Sequence, residues 1–188
     1  MRTLSSLALV ALVACGGEAR PPTTSAQPAA SAAARPPVET REVRCRDAAR
    51  ACGAALVAGA DDEIVDCMPA EALKFVGGRD KVVAALTKGK ADLARDGWSF
   101  DHVDLDAPAS VVRGTSHVFA IVPQRITMKM PEGHVVKRGY LLGVSTDDGA
   151  TWKFVDGEGL TGDNVKVIFT DFPATLALPA RTKPELLP

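Results

Sequence analysis

The periodicity of the chain changes once, at Gly97, and that change restricts the fold more than any other feature. Upstream of it the apolar residues fall at helical spacing, broken by short glycine and proline stops. Asp47 to Ala58 is rich in alanine and carries Leu56 and Val57, a helix ended by Gly59-Ala60-Asp61. Asp61 or Asp62 caps a short second helix running to Cys67, and Met68-Pro69 breaks it. Pro69 suits the first turn of a third helix with Leu73, Phe75 and Val76, stopped at Gly77-Gly78. Asp80 caps a fourth, in which Val82, Val83, Leu86, Leu93 and Ala94 share a face. Downstream of Gly97 the pattern alternates. Trp98, Phe100 and His102 fall on one strand face, Val111-Val112 and His117 to Val122 read as strands, and Ile126, Met128 and Met130 alternate with Arg125, Thr127 and Lys129. Turns at Pro131-Glu132-Gly133 and Thr146-Asp147-Asp148-Gly149 separate the strands Val135 to Ser145 and Trp152 to Asp156. Short turns between successive strands require an antiparallel sheet, and helices followed by strands predict an α+β fold.

At 188 residues the chain is long enough for one domain with extensions. Its formal net charge of -1 lacks the electrostatic footprint of a nucleic-acid binder. The folded domain is expected over residues 41–172, with a proline-rich tail over 173–188. Residues 15–40 are dominated by Pro, Ala, Ser and Thr. Such a segment cannot bury enough surface to offset its ordering entropy, and it reads as a tether.

The first fourteen residues read as an address. Met1-Arg2 supplies a positive start, and Leu4 to Val13 is an apolar run too short to span a bilayer, which takes about 20 residues. Leu12-Val13-Ala14-Cys15-Gly16 then resembles a bacterial lipobox. The resemblance implies cleavage before Cys15, acylation of its thiol and a membrane-anchored envelope protein. An ordinary secretory signal with an incidental cysteine is the alternative. Gly16 in place of Asp favours, by the same resemblance, the periplasmic face of the outer membrane in a Gram-negative cell. Loss of Arg2 leaves 21 basic and 23 acidic residues, a net of -2.

An envelope setting is oxidising and permits disulfides. Cys45 and Cys52 are seven residues apart, about 10 Å on a helix, too far to bridge. Cys52 and Cys67 lie almost symmetrically about Gly59-Ala60, so an antiparallel helix pair brings them level, and Cys52–Cys67 is the expected bridge. Cys45 is then left near the domain edge, free or linked to another chain. No cysteine and histidine spacing completes a metal site, and no cofactor motif is present.

Several phrases together resemble the nuclear transport factor 2-like, or SnoaL-like, superfamily over roughly Ala48 to Asp156. They are Ala55-Leu56-Val57-Ala58-Gly59-Ala60-Asp61, Val65-Asp66-Cys67-Met68-Pro69, Gly77-Gly78-Arg79-Asp80-Lys81-Val82, and the strands from Tyr140 to Asp156. The resemblance implies helices packed on a strongly curved, largely antiparallel sheet, forming a cone with one pocket, and it admits a homodimer. The superfamily holds enzymes and non-catalytic domains alike, so fold does not choose function. It implies an inward Asp66 that can act as a base, the alternative being a helix-end structural carboxylate; Tyr140 as a hydroxyl and Arg125 as an anion holder are further candidates. His102, beside Asp104 and Asp106, is a second acid–base candidate or part of a solvated strand face. Phe75, Trp98, Phe119, Arg125, Met128 and Tyr140 are the candidate pocket lining. No complete catalytic set is recognisable. The expected role is therefore a non-catalytic binding domain for a small apolar ligand or an envelope protein. The alternatives are a small-molecule isomerase, dehydratase or hydrolase, and a structural dimerisation module.

One motif needs separating from these. Ser145-x-Asp147-x-Gly149-x-Thr151-Trp152 matches the Asp-box that sialidases and other β-propellers repeat in every blade. It occurs once here, in a chain too short for a propeller, and its physical content is a hairpin turn.

Overall fold

A computed structural model of the protein describes residues 40–187. The signal-peptide, lipid-anchor and tether readings, Cys15 included, lie outside the described residues. Four helices come first: α1 (Arg41–Ala58), α2 (Asp61–Asp66), α3 (Ala70–Val76) and α4 (Arg79–Arg95). They precede β1 (Ser99–Leu105), β2 (Ser110–Arg113), β3 (Val118–Met130), β4 (Gly133–Ser145) and β5 (Lys153–Asp156). A 3-10 turn at Gly157–Gly159, a short α5 (Asn164–Ile168) and β6 (Glu185–Leu187) complete the described chain. The architecture is α+β, helices followed by a six-stranded antiparallel sheet.

The sheet is built around one long hairpin, β3–β4, thirteen residues on each side. Each arm is flanked by two short strands set end to end. β2 pairs with Val118 to Ile121 and β1 with Gln124 to Lys129 on one arm, while β5 and β6 pair with β4 on the other. This arrangement explains Pro123 in mid-strand. It falls in the gap between the segments bound to β2 and β1, where a missing N–H costs little, and its carbonyl accepts from Asp106 N at 3.1 Å.

Alternation along β3 and β4 feeds two separate cores. Val118, Ala120 and Val122 join Cys45, Ala49, Trp152 and Phe154 on the α1 side. Phe119 and Ile121, with Tyr140, Leu142 and Val144, join Leu160, Val165, Phe169 and Leu176 on the other. The segment after Pro173, expected as a proline-rich tail outside the folded domain, therefore belongs to the packed body. Leu176 is 5% exposed, Leu178 packs beside it, and β6 adds a strand along β4. Periodicity could not show this, because the segment holds few apolar residues and makes contacts distant in sequence.

The α1 helix starts at Arg41, six residues before the amphipathic pattern becomes visible. Thr40 caps it by accepting Val43 N, and Gly59 closes it at φ 68°. Its buried stripe is made of small residues, Cys45, Ala49 and Gly53, which let the helix lie close on the sheet. A Cβ on Gly53 would stand 3.0 Å from Leu105 Cδ1. A Cβ on Gly143 would stand 3.3 Å from Cys45 Sγ. Cys45 is thus fully buried and free, not an edge residue available to another chain. Burial, reinforced by the nearby Glu42 charge, pushes its thiol pKa up to about 12. Cys52 and Cys67 are bridged as expected, tying α1 to the end of α2.

A chamber beneath helix α4

The fourth helix differs from the others. It has an apolar face, and none of its residues is buried. Gly78 caps it in place of the expected Asp80. The helix stands off α1, α2 and the sheet and leaves two apolar spaces beneath it. The inner one, about 250 Å3, lies between the disulfide, Leu56, Ile64, Met68, Val82 and Leu86 and the sheet residues Val103, Ile126, Leu141 and Phe154. The outer one, about 450 Å3, follows α4 to Leu93 and Phe100. Leu56, Ile64, Met68, Val82 and Leu86 line both, so the two form one chamber. Pockets for small molecules run to roughly 300–1,000 Å3 and are lined mainly by apolar groups with few polar ones. The polar groups here sit at the ends. Gln124 and Asp156 lie at the inner end, 3.4 Å apart. Asp61, Lys81 and Lys90 lie along the outer rim.

The disulfide contributes directly to this wall. Bridging Cys52 to Cys67 fixes α1 against the α2–α3 junction, and both cysteines line the inner space. At the rim, Lys90 Nζ is 2.7 Å from Asp61 Oδ1 and also donates to Gly59 O at 2.7 Å. The Lys90 hydrogen bond holds the Asp61 carboxyl below its ordinary pKa, with a smaller contribution from Thr87.

The residues singled out from sequence lie elsewhere. Asp66 does not point into the chamber. Its side chain is 68% exposed and is paired with Arg79, which also holds Asp62 at 2.8 Å. Tyr140 and Phe119 are on the opposite side of the sheet, in the core closed by the C-terminal segment. The Tyr140 ring lies flat against Gly157, where a Cβ would come within 2.4 Å of Cζ. Burial, and then the Asp156 charge, raise its hydroxyl pKa. Arg125 is exposed and pairs with Asp104 at 3.3 Å. Phe75 is half exposed on α3, and Trp98 and Met128 are half-buried, but none of the three is part of the chamber lining.

A bulge separates Phe100 from His102. The β1–β3 register slips between them, so the two no longer share a face. Phe100 lines the chamber, while His102 turns to Thr127, 3.2 Å from its Oγ1, with Asp101 2.8 Å from Nδ1. It is a half-exposed strand-face residue.

Sequence reasoning gave no role to His117, which is half-buried. His117 Nδ1 is 2.7 Å from Asp171 Oδ1, and Asp171 Oδ2 accepts the Ser116 and His117 amides. These bonds fasten the C-terminal segment to the start of β3. Among the described residues no group of three or more His, Cys, Asp or Glu is placed to hold a metal. No described helix is long and apolar enough to cross a membrane. Comparison of the chain with family models, curated proteins and solved structures finds no match.

Proposed function

We propose that the protein is a lipid-anchored envelope protein whose folded domain, a nuclear transport factor 2-like helix-and-sheet container, binds a small apolar ligand without chemically changing it. The observation that carries this reading is the chamber under α4. It is apolar along its length, and the helix covering it gives up little packing by moving. The lipobox resemblance at Cys15 and the proline-rich stretch after it support attachment to the periplasmic face of an envelope membrane. Catalysis is the weaker reading, because Asp66 is paired with Arg79 at the surface and the rim carboxylate of the chamber, Asp61, is held by Lys90. Dimerisation through the sheet is weaker too, because the C-terminal segment occupies the apolar half of the free sheet face.

The test uses the full chain carrying Cys15→Ser, so that no acyl chain competes, with the Cys52–Cys67 bridge oxidised. Titration with N-phenyl-1-naphthylamine, an uncharged apolar fluorophore, should give saturable binding at one site. Leu86→Glu, which sets a charge against the chamber, should abolish it, and Lys88→Ala on the outer face of α4 should not. Absence of saturable binding, or binding indifferent to Leu86→Glu, refutes the reading.

A further inference from the structure

The charges around the chamber are distributed unevenly. At its inner end stands a carboxylate, Asp156, whose Oδ1 accepts from Gln124 Nε2 at 3.4 Å and from Glu158 N at 3.1 Å. Two lysines line the outer rim, Lys81 and Lys90, and the cations around them are paired: Lys90 with Asp61 and, off the rim, Arg79 with Asp62 and Asp66. Lys81 is the exception. It lines the rim beside Val76 and Val82, and among the described residues no carboxylate lies within ion-pair reach of it. Its side chain is laid across Gly77, with Cδ and Nζ each 2.8 Å from the place a Cβ would take. Gly77 is in the left-handed region at φ 94°, so a glycine there both closes α3 and leaves room for the lysine stem.

We infer that the ligand is a single-chain alkyl carboxylate, its chain lying under α4 and its headgroup on Lys81 Nζ. This rests on the apolar-ligand reading above and adds the charge and the orientation of the ligand. An anionic headgroup is repelled from the Asp156 end and attracted to the one uncompensated rim cation, so the chain enters tail first. The groove from Val82 to Leu93 is about 16 Å long at 1.5 Å per helical residue, enough for a medium-length chain. Because Lys81 is at the rim, its interaction is partly screened and contributes selectivity more than affinity.

The experiment compares dodecanoate with dodecanol by isothermal titration at pH 8 in low salt, on the same full chain with Cys15→Ser and the bridge oxidised. Dodecanoate should bind about fivefold tighter than dodecanol, an advantage of the size expected for an exposed ion pair. Lys81→Met, which keeps the stem and removes the charge, should bring the ratio close to one, and so should high salt. Lys88→Met should leave the ratio as it is. A ratio near one in the parent protein, or a ratio that survives Lys81→Met, overturns the inference while leaving the apolar-ligand reading standing. Failure of both dodecyl compounds and of the neutral naphthylamine to bind overturns both.

Discussion

The residue whose local chemistry is most completely resolved is Asp147, in the turn between β4 and β5. Its Oδ1 accepts the Thr151 amide and the Ser145 hydroxyl, and its Oδ2 accepts the Thr151 hydroxyl at 2.7 Å. Asp148 and Gly149 take the left-handed conformation, at φ 59° and 81°. Trp152 Nε1 donates to Gly149 O, so the indole is pinned beneath the turn it follows. The Asp-box spacing therefore encodes a hairpin, as the sequence alone indicates. The Thr151 amide, then the Thr151 and Ser145 hydroxyls, hold the Asp147 carboxyl down to about 2. A carboxyl depressed in the folded state stabilises the fold fully above its unfolded pKa, about 3.9, and loses that contribution as the pH falls through the folded value. Asp147→Asn should thus be less stable than the parent at neutral pH. The difference should narrow between about pH 4 and pH 2, read from urea unfolding at each pH. A difference independent of pH would show that the amide side chain, not the charge, is responsible.

At the scale of elements, the helices and strands were largely legible, and the faces were not. Four helices and the main hairpin follow from spacing and from glycine and proline stops. Which side of a strand meets α1 depends on the register and on what covers the other side. Tyr140 and Phe119 have the alternation of core residues, but nothing in the sequence says that the stretch from Leu160 to Leu178 closes over them. The bulge after Phe100 is equally silent, since a one-residue slip leaves no compositional mark. The residues lining the chamber were not legible for a related reason. Its lining comes from α4, whose apolar face looks like that of any packed helix. Cys52–Cys67 was legible because symmetry about one turn fixes it. That bridge closes a 15-residue separation. By chain-entropy arithmetic its loss should cost about 3 kcal/mol. Cys52→Ala paired with Cys67→Ala should show this deficit in urea unfolding, together with weaker naphthylamine binding, because both cysteines line the inner space. An unchanged binding constant would detach the bridge from the site.

For the whole molecule, the proposed function combines lipidation at Cys15 with ligand binding in the chamber under α4. Such a pairing suits a protein that holds lipid-like molecules near a membrane surface. Cys15→Ser should move the protein from the membrane fraction to the soluble periplasmic fraction, measured by fractionation and immunoblotting. Retention in the membrane would point to another means of attachment. The measurement closest to the central claim is a methyl-resolved NMR titration of the Cys15→Ser chain with N-phenyl-1-naphthylamine. Saturating shifts are expected at Leu56, Ile64, Val82, Leu86 and Leu141, with Leu142, Val165 and Leu176 beyond the sheet unmoved. Shifts confined to the C-terminal core, or none at a concentration that saturates the fluorescence, would contradict that claim.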